Sequence, residues 1–259
     1  MESNFTFLTN VNGVKFHYSQ IKDIDEHEIH PYHEFLYYLG EDAIFCTEKF
    51  KQKLTHNCLI FIPKDKYHSF LLDDPKNFKR LKISFSDTEL NLLEKKEHLS
   101  EIKILTSSSS IIFTLLEKVC TFLNSNKPTK ENLLFMYGAF LLVLSEFFNS
   151  VDAPEVNQKL SPAVKSCILH VEKHLSNDLS IKSIGINTGF SPSTISHLFK
   201  KELGISLHAY ILQKRMIYAK TLLEGGISPT EVYLLCGYTN YSSFYKSYVK
   251  FFKKRPKDR

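Results

Sequence analysis

The C-terminal part of the chain carries one helix–breaker–helix pattern twice, at the same internal spacing, and no other feature narrows the fold so far. The first copy runs from Ser180 through Ile184 to Gly189-Phe190-Ser191, then from Pro192 to Lys200; the second runs from Ser228 through Val232 to Gly237-Tyr238-Thr239, then from Asn240 to Tyr248. Gly189 and Gly237 fall where the first helix of each copy has to stop, and glycine enters the left-handed region without a Cβ penalty. Ser191 and Thr239 fall where a hydroxyl caps the next helix by accepting from its free N–H groups. A turn of this kind sets two helices at a steep angle, which leaves the second free to lie in a major groove.

Charge is divided along the chain in the same place. Residues 157–259 hold 16 Lys and Arg against 6 Asp and Glu, a balance of +10, while residues 1–156 balance at −5. A basic segment that coincides with a repeated helix-turn-helix pattern is the footprint of a double-stranded DNA-binding module joined to a domain of another kind. At 259 residues there is room for two cores. The five cysteines, Cys46, Cys58, Cys120, Cys167 and Cys236, are scattered with no CxxC pair, so neither a zinc site nor a disulfide framework is expected. No basic flank followed by an apolar core opens the chain, and the most apolar run, Leu133 to Leu144, is shorter than the ~18 residues of a membrane span. The expectation is a cytoplasmic protein with reduced thiols, no membrane partner and no cofactor.

The segment from Asn4 to about Phe85 alternates short β-branched and aromatic runs with polar turns. Ala43–Cys46, Cys58–Ile62 and Leu81–Phe85 read as strands, with Asn12-Gly13 and Asp73-Asp74-Pro75 as turns. Closely spaced strands without helices between them predict a sandwich or small barrel, whose interior is room for a ligand. Two helices joined around Pro128 follow, the second over Glu131–Phe148. That helix is apolar on nearly every side, so it needs more than one neighbour; burial in its own chain and a homodimer interface are both open. Residues 149–158 have linker composition, and Ser161-Pro162 opens a helix reaching about Leu175. The predicted fold is α+β: a regulatory and dimerisation domain over 1–150 and an all-α DNA-binding domain over 157–259.

The C-terminal domain resembles the AraC/XylS family of bacterial transcription regulators. The residues that carry the likeness are Gly189-Phe190-Ser191, the block Leu198 to Gly204, Tyr210, Arg215, Ala219, Leu222-Leu223, and the block Gly237-Tyr238, Ser243-Phe244, Phe251-Phe252 and Pro256. The resemblance implies two helix-turn-helix units bridged by one long helix, about Leu207 to Leu223, with the second helix of each unit in a major groove. It places Ser193, Ser196 and His197 of the first unit and Tyr241, Ser242 and Lys246 of the second against base edges. Lys200, Lys201 and Lys250 then contact phosphates. Serine hydroxyls pair with several bases and no Arg, Asn or Gln stands at the six positions, so DNA shape contributes to readout. The resemblance also implies activation through contact with RNA polymerase. Gly185 and Tyr233 stand where the family prefers alanine, and Lys253 replaces a usual glycine; no base-facing position is touched.

The N-terminal half is similar, more loosely, to the cupin-like regulatory domain of many such regulators. The likeness rests on His33-Glu34-Phe35-Leu36-Tyr37-Tyr38, on Leu59 to Pro63 followed by His68-Ser69-Phe70, and on Arg80 to Phe85. Catalytic cupins hold a metal through a His-x-His pair, a carboxylate and a distant histidine. His30-Pro31-Tyr32-His33 with Glu34 adjacent does not repeat that spacing, and no metal is expected. His30, His33, Tyr37, His68 and Arg80 are the candidates to line a pocket for a small-molecule effector, but the favoured expectation for the three histidines is a place on the surface. Of the competing functions, a cupin-type metal-dependent enzyme with an attached basic domain needs a metal triad or a nucleophile–base pair, neither of which is visible. An architectural DNA-binding protein leaves the N-terminal domain without a role. The favoured reading is a sequence-specific transcription regulator and not an enzyme.

Overall fold

The computed structural model describes residues 6–20, 27–72, 78–93, 99–106, 111–124, 128–150 and 158–258. The expected turn at Asp73-Asp74-Pro75 and most of the expected linker lie outside these residues. The N-terminal part is built from antiparallel strands in two sheets. The first sheet has the order β1 (Thr6–Val11), β2 (Val14–Gln20), β9 (Lys79–Phe85), β4 (His33–Tyr38), β7 (Cys58–Ile62), β10 (Lys103–Leu105); the second has β11 (Gln158–Lys159), β6 (Phe50–Leu54), β5 (Ala43–Thr47), β8 (His68–Leu71), β3 (His27–Glu28). Asn12 and Gly13, both at positive φ, join β1 to β2 as the sequence predicts. Among the described residues no edge strand of one sheet pairs with an edge of the other, so the two sheets face each other without closing into a continuous barrel.

Alternation along β4 and β9 sorts the side chains. Phe35, Tyr37, Leu81, Ile83 and Phe85 turn to one face of the first sheet, where α2 (Ile111–Asn124) and α3 (Lys130–Ser150) cover them. Leu36 and Tyr38 turn to the other face and pack with Phe45, Phe50, Leu54, Ile60 and Phe70 between the sheets. This is the period of two that lets one strand serve two cores. α3 is long and apolar enough to cross a membrane by length and composition alone. Met136, Phe140, Val143, Leu144 and Phe147 pack it onto the sheet and α2, while Leu134 and Leu142 stay exposed. A short α1 (Asp87–Leu90) is closed by a Ser86–Glu89 capping box.

The rest is helical: α4 (Pro162–Lys173), α5 (Ile181–Thr188), α6 (Pro192–Leu203), α7 (Leu207–Glu224), α8 (Pro229–Leu235) and α9 (Tyr241–Phe252). Serines start five of them, with Ser228 closing α8 through a capping box with Glu231. Ser161, Ser180, Ser191 and Ser206 accept at the N-caps from Val164, Ser183, Thr194 and Ala209. Ile184, Ile195, Phe199, Leu203, Tyr210 and Ile211 form one core under the first helix-turn-helix unit; Met216, Ala219, Leu223, Val232, Phe244 and Tyr248 form a second under the other. Helix α7 contributes to both, so it acts as the bridge. All five cysteines are buried and unpaired. Burial pushes Cys46, Cys58, Cys120 and Cys236 up to about 12 and Cys167 to about 11.

Candidate nucleic-acid interface

Gly189 ends α5 at φ 77°, and Ser191 then caps α6, as the pattern predicts. In the second unit the stop comes at Cys236, with Gly237 following at φ 71°. The cap of α9 is not Thr239 but Asn240, whose Oδ1 accepts from Ser243 N at 2.9 Å. The carboxamide reaches the same orphan N–H from one residue later, and Asn240 holds the extended conformation a cap requires.

Both second helices present one buried and one exposed stripe. On α6 the buried stripe is Ile195, Phe199 and Leu203; Ser193, Ser196, His197 and Lys200 are exposed at helical spacing, with Lys201 beside them. On α9 Phe244 and Tyr248 are buried, while Tyr241, Ser242, Lys246 and Lys250 are exposed. All nine residues expected to touch DNA are therefore on the solvent face of their helices. Ser193 Oγ also lies 2.9 Å from Ser191 Oγ, within the cap's hydroxyl network. Arg215 of α7 donates to Leu175 O at 3.1 Å and Asn177 O at 2.8 Å and lines a cleft together with Tyr238 and Thr239.

The five residues expected around an effector do not converge. His30, His33, Tyr37, His68 and Arg80 are all buried, but the sheet divides them. His33 and Tyr37 belong to the helix-covered face of β4: His33 Nε2 lies 2.9 Å from Asp87 Oδ1, and the Tyr37 hydroxyl donates to Asn57 at 2.9 Å. Lys64 and His33 hold the Asp87 carboxyl below its usual range. His30, His68 and Arg80 lie on the other side, the space between the sheets. Burial lowers Arg80 to about 9, and its guanidinium sits 5.1 Å from the Phe78 ring. His30 and His68 meet edge to face at 5.1 Å, with Glu28, Glu34 and Lys82 around them. Lys82 Nζ is 2.6 Å from Glu28 Oε2 and 3.6 Å from Glu34 Oε2. Burial lowers His30 to about 3 and His68 to about 4, and raises the Glu34 carboxyl. Burial would raise Glu28 as well, but Lys82 and His68 outweigh it and hold that carboxyl low.

A second set of residues, not visible to sequence reasoning, ties the two halves together. The Tyr67 hydroxyl and Ser69 Oγ both donate to Leu203 O, at 2.6 and 2.7 Å, at the last residue of α6. Glu48 accepts from the Tyr210 hydroxyl at 2.6 Å and from Lys214 Nζ at 2.9 Å. The two-residue β11 pairs with β6. Ile29 and Tyr67 join the core of the first helix-turn-helix unit.

Comparison with known proteins agrees with this geometry. Residues 184–258 match the family model described as a helix-turn-helix domain. The chain is 31% identical over 88 residues to the probable transcriptional regulator LumQ of Photobacterium leiognathi, covering 34% of this chain and 36% of that protein. It therefore spans about a third of that relative's length. It is 25% identical over 203 residues to the Msm operon regulatory protein of Streptococcus mutans, covering 76% of this chain and 73% of the relative. Among solved structures, the C-terminal domain of AraT, a response regulator from Geobacillus stearothermophilus, is similar at 30% identity and a TM-score of 0.37, over 38% of this chain and 82% of that one. Residues 184–258 therefore form a helix-turn-helix domain, with two units bridged by α7, similar to those of proteins named as transcriptional regulators.

Proposed function

We propose that the chain is a sequence-specific regulator of transcription that grips duplex DNA with both helix-turn-helix units and takes its signal through the N-terminal domain. The observation that carries this reading is the pair of exposed polar stripes on α6 and α9, in a segment with a +10 charge balance. Ser193, Ser196 and His197 face bases in one half of the site, and Tyr241, Ser242 and Lys246 face bases in the other. Lys200, Lys201 and Lys250 hold phosphates. Activation through contact with RNA polymerase follows from the family resemblance. Self-association runs through α3, where Leu134 and Leu142 leave an apolar strip in solvent. The hydrogen bonds from Tyr67 and Ser69 to the end of α6 support a role for the N-terminal domain in controlling the reading helix.

The test is the salt dependence of DNA binding by the full chain. Each neutralised phosphate contributes about −0.9 to the log–log slope on duplex DNA. A steep negative slope is expected, with a specific sequence recovered from a randomised duplex pool. A slope near zero, or a pool that stays random, contradicts the reading.

A further inference from the structure

Three side chains between the sheets meet as metal ligands do. Glu28, His30 and His68 each offer a ligand atom, and these atoms all lie within 4.8 Å of one another. The rings are already oriented. His30 Nδ1 lies 2.8 Å from Tyr32 O, and His68 Nδ1 lies 3.3 Å from Lys66 O. A carbonyl oxygen only accepts, so each Nδ1 carries the proton and each Nε2 is left with a bare lone pair. Hydrogen bonds of this kind are what fix the tautomer of a metal-binding imidazole. Both lone pairs face carboxylates: His68 Nε2 is 3.9 Å from Glu28 Oε2, and His30 Nε2 is 3.6 Å from Glu34 Oε2. A bare lone pair set against a carboxylate in a buried space calls for a proton or a cation between them. Moreover, among the described residues His30 Nε2 and both Glu34 oxygens are buried without a hydrogen-bond partner. Lys82 brings one positive charge, bonded to Glu28 at 2.6 Å, but it does not reach the imidazoles.

We propose that Glu28, His30 and His68 bind a divalent transition-metal ion of the imidazole-preferring kind, and that strand β8 passes its occupancy to the reading helix α6. Two nitrogens and a carboxylate suit zinc or iron better than magnesium or calcium, which take oxygen shells. Glu34 stands ready as a fourth ligand, and Lys82 is the internal competitor that a metal displaces from Glu28. Metal–ligand bonds of about 2.0–2.2 Å draw the ligand atoms inward by roughly 1 Å from their present spread. His68 moves with them. Its chain neighbours Tyr67 and Ser69 point the other way and hold Leu203 O at the end of α6. The regulatory half of the proposal rests on the DNA-binding reading; the metal half does not.

The experiment uses the full chain stripped with chelator. Zn2+ is titrated by calorimetry, and Co2+ is added separately to read its visible absorption, with Mg2+ as the comparison. One zinc per chain is expected, together with a cobalt spectrum of mixed nitrogen and oxygen ligation. Loss of a residue that merely orients a ligand already costs about 10–100-fold in metal affinity, so Glu28→Gln and His68→Ala should lose at least that much. Lys82→Met should tighten binding. Glu28→Gln keeps the side chain's shape, and circular dichroism confirms that each variant is folded. The His170–His174 pair at the C-terminal end of α4, with ring centroids 4.4 Å apart, is the competing surface site. Zinc binding that survives Glu28→Gln and disappears in His170→Ala overturns the proposal, as does no binding at micromolar zinc. Binding at the proposed site with DNA affinity unchanged between metal-free and zinc-loaded chain overturns the link to α6. Absence of DNA binding in both forms counts instead against the regulator reading.

Discussion

Replacing Gly237 by alanine should damage the second helix-turn-helix unit far more than the same change at Gly189 damages the first. Both glycines hold positive φ, at 71° and 77°, so each substitution incurs the left-handed penalty. Their surroundings differ. A Cβ at Gly189 meets nothing within 4 Å, whereas a Cβ at Gly237 would lie 2.5 Å from Arg215 Nη2 and 2.8 Å from Leu175 O. Arg215 cannot yield freely, because the same guanidinium is bonded to Leu175 O and Asn177 O. The left-handed penalty is about 1–2 kcal/mol and a lost charged hydrogen bond about 1.5–3 kcal/mol, so Gly189→Ala should cost roughly 1–2 kcal/mol and Gly237→Ala roughly 3–4 kcal/mol. The upper end is discounted because Arg215 is only half-buried. Urea denaturation gives the totals, and hydrogen exchange across α8 and α9 locates the damage. Equal losses at the two positions, or a larger loss at Gly189, would refute the reasoning that Gly237 packs closely against Leu175 O and the Arg215 guanidinium.

Glu48→Gln should loosen the seam between the two halves by about 1–3 kcal/mol, because among the described residues the largely buried Lys214 ammonium then keeps only Glu172 as an ion-pair partner; faster hydrogen exchange in α7 is the readout, and unchanged exchange argues against the seam. The five thiols should react slowly with a disulfide reagent at neutral pH in the folded chain and rapidly in denaturant, since burial holds them far from the thiolate form. A thiol that reacts at once would be exposed, contrary to the structure. Leu134→Asp with Leu142→Asp should shift the sedimentation of the full chain from dimer to monomer while leaving it folded; an unmodified chain that already runs as a monomer removes α3 as an interface.

Much of the C-terminal domain was legible because its signals are local. Capping serines, glycine stops and stripes three and four residues apart lie within a few positions of one another, and α7 runs from Leu207 to Glu224, one residue past its predicted end. The cap of α9 was missed by one residue because Thr239 and Asn240 are both good caps and only the backbone chooses. The N-terminal sheets were less legible. β3 and β11 are two residues long, too short for any period to show. Glu28 was overlooked for that reason, although Glu28 and His30 stand two apart on an extended segment and so share a face. His33 looked equivalent to His30, but it sits on β4 with Phe35 and Tyr37, on the helix-covered face. The contacts of Tyr67, Ser69 and Glu48 with α6 and α7 join residues more than a hundred positions apart, and no local pattern encodes such pairings.

The central claim, that α6 and α9 each read one half of a single asymmetric site, is tested most directly by titrating three variants against the selected duplex and against duplexes scrambled in one half. On the proposed reading the bridge α7 would set the two reading helices in successive major grooves, about 34 Å apart on one face of the duplex. His197→Ala should lose about 1–3 kcal/mol on the intact site and nothing further when the half read by α6 is already scrambled; Lys246→Ala should do the same for the other half. Lys201→Ala should weaken every duplex alike, because a phosphate contact carries no base information. If His197→Ala and Lys246→Ala lose equal affinity for specific and scrambled DNA, these side chains face the backbone and the two-helix reading is wrong.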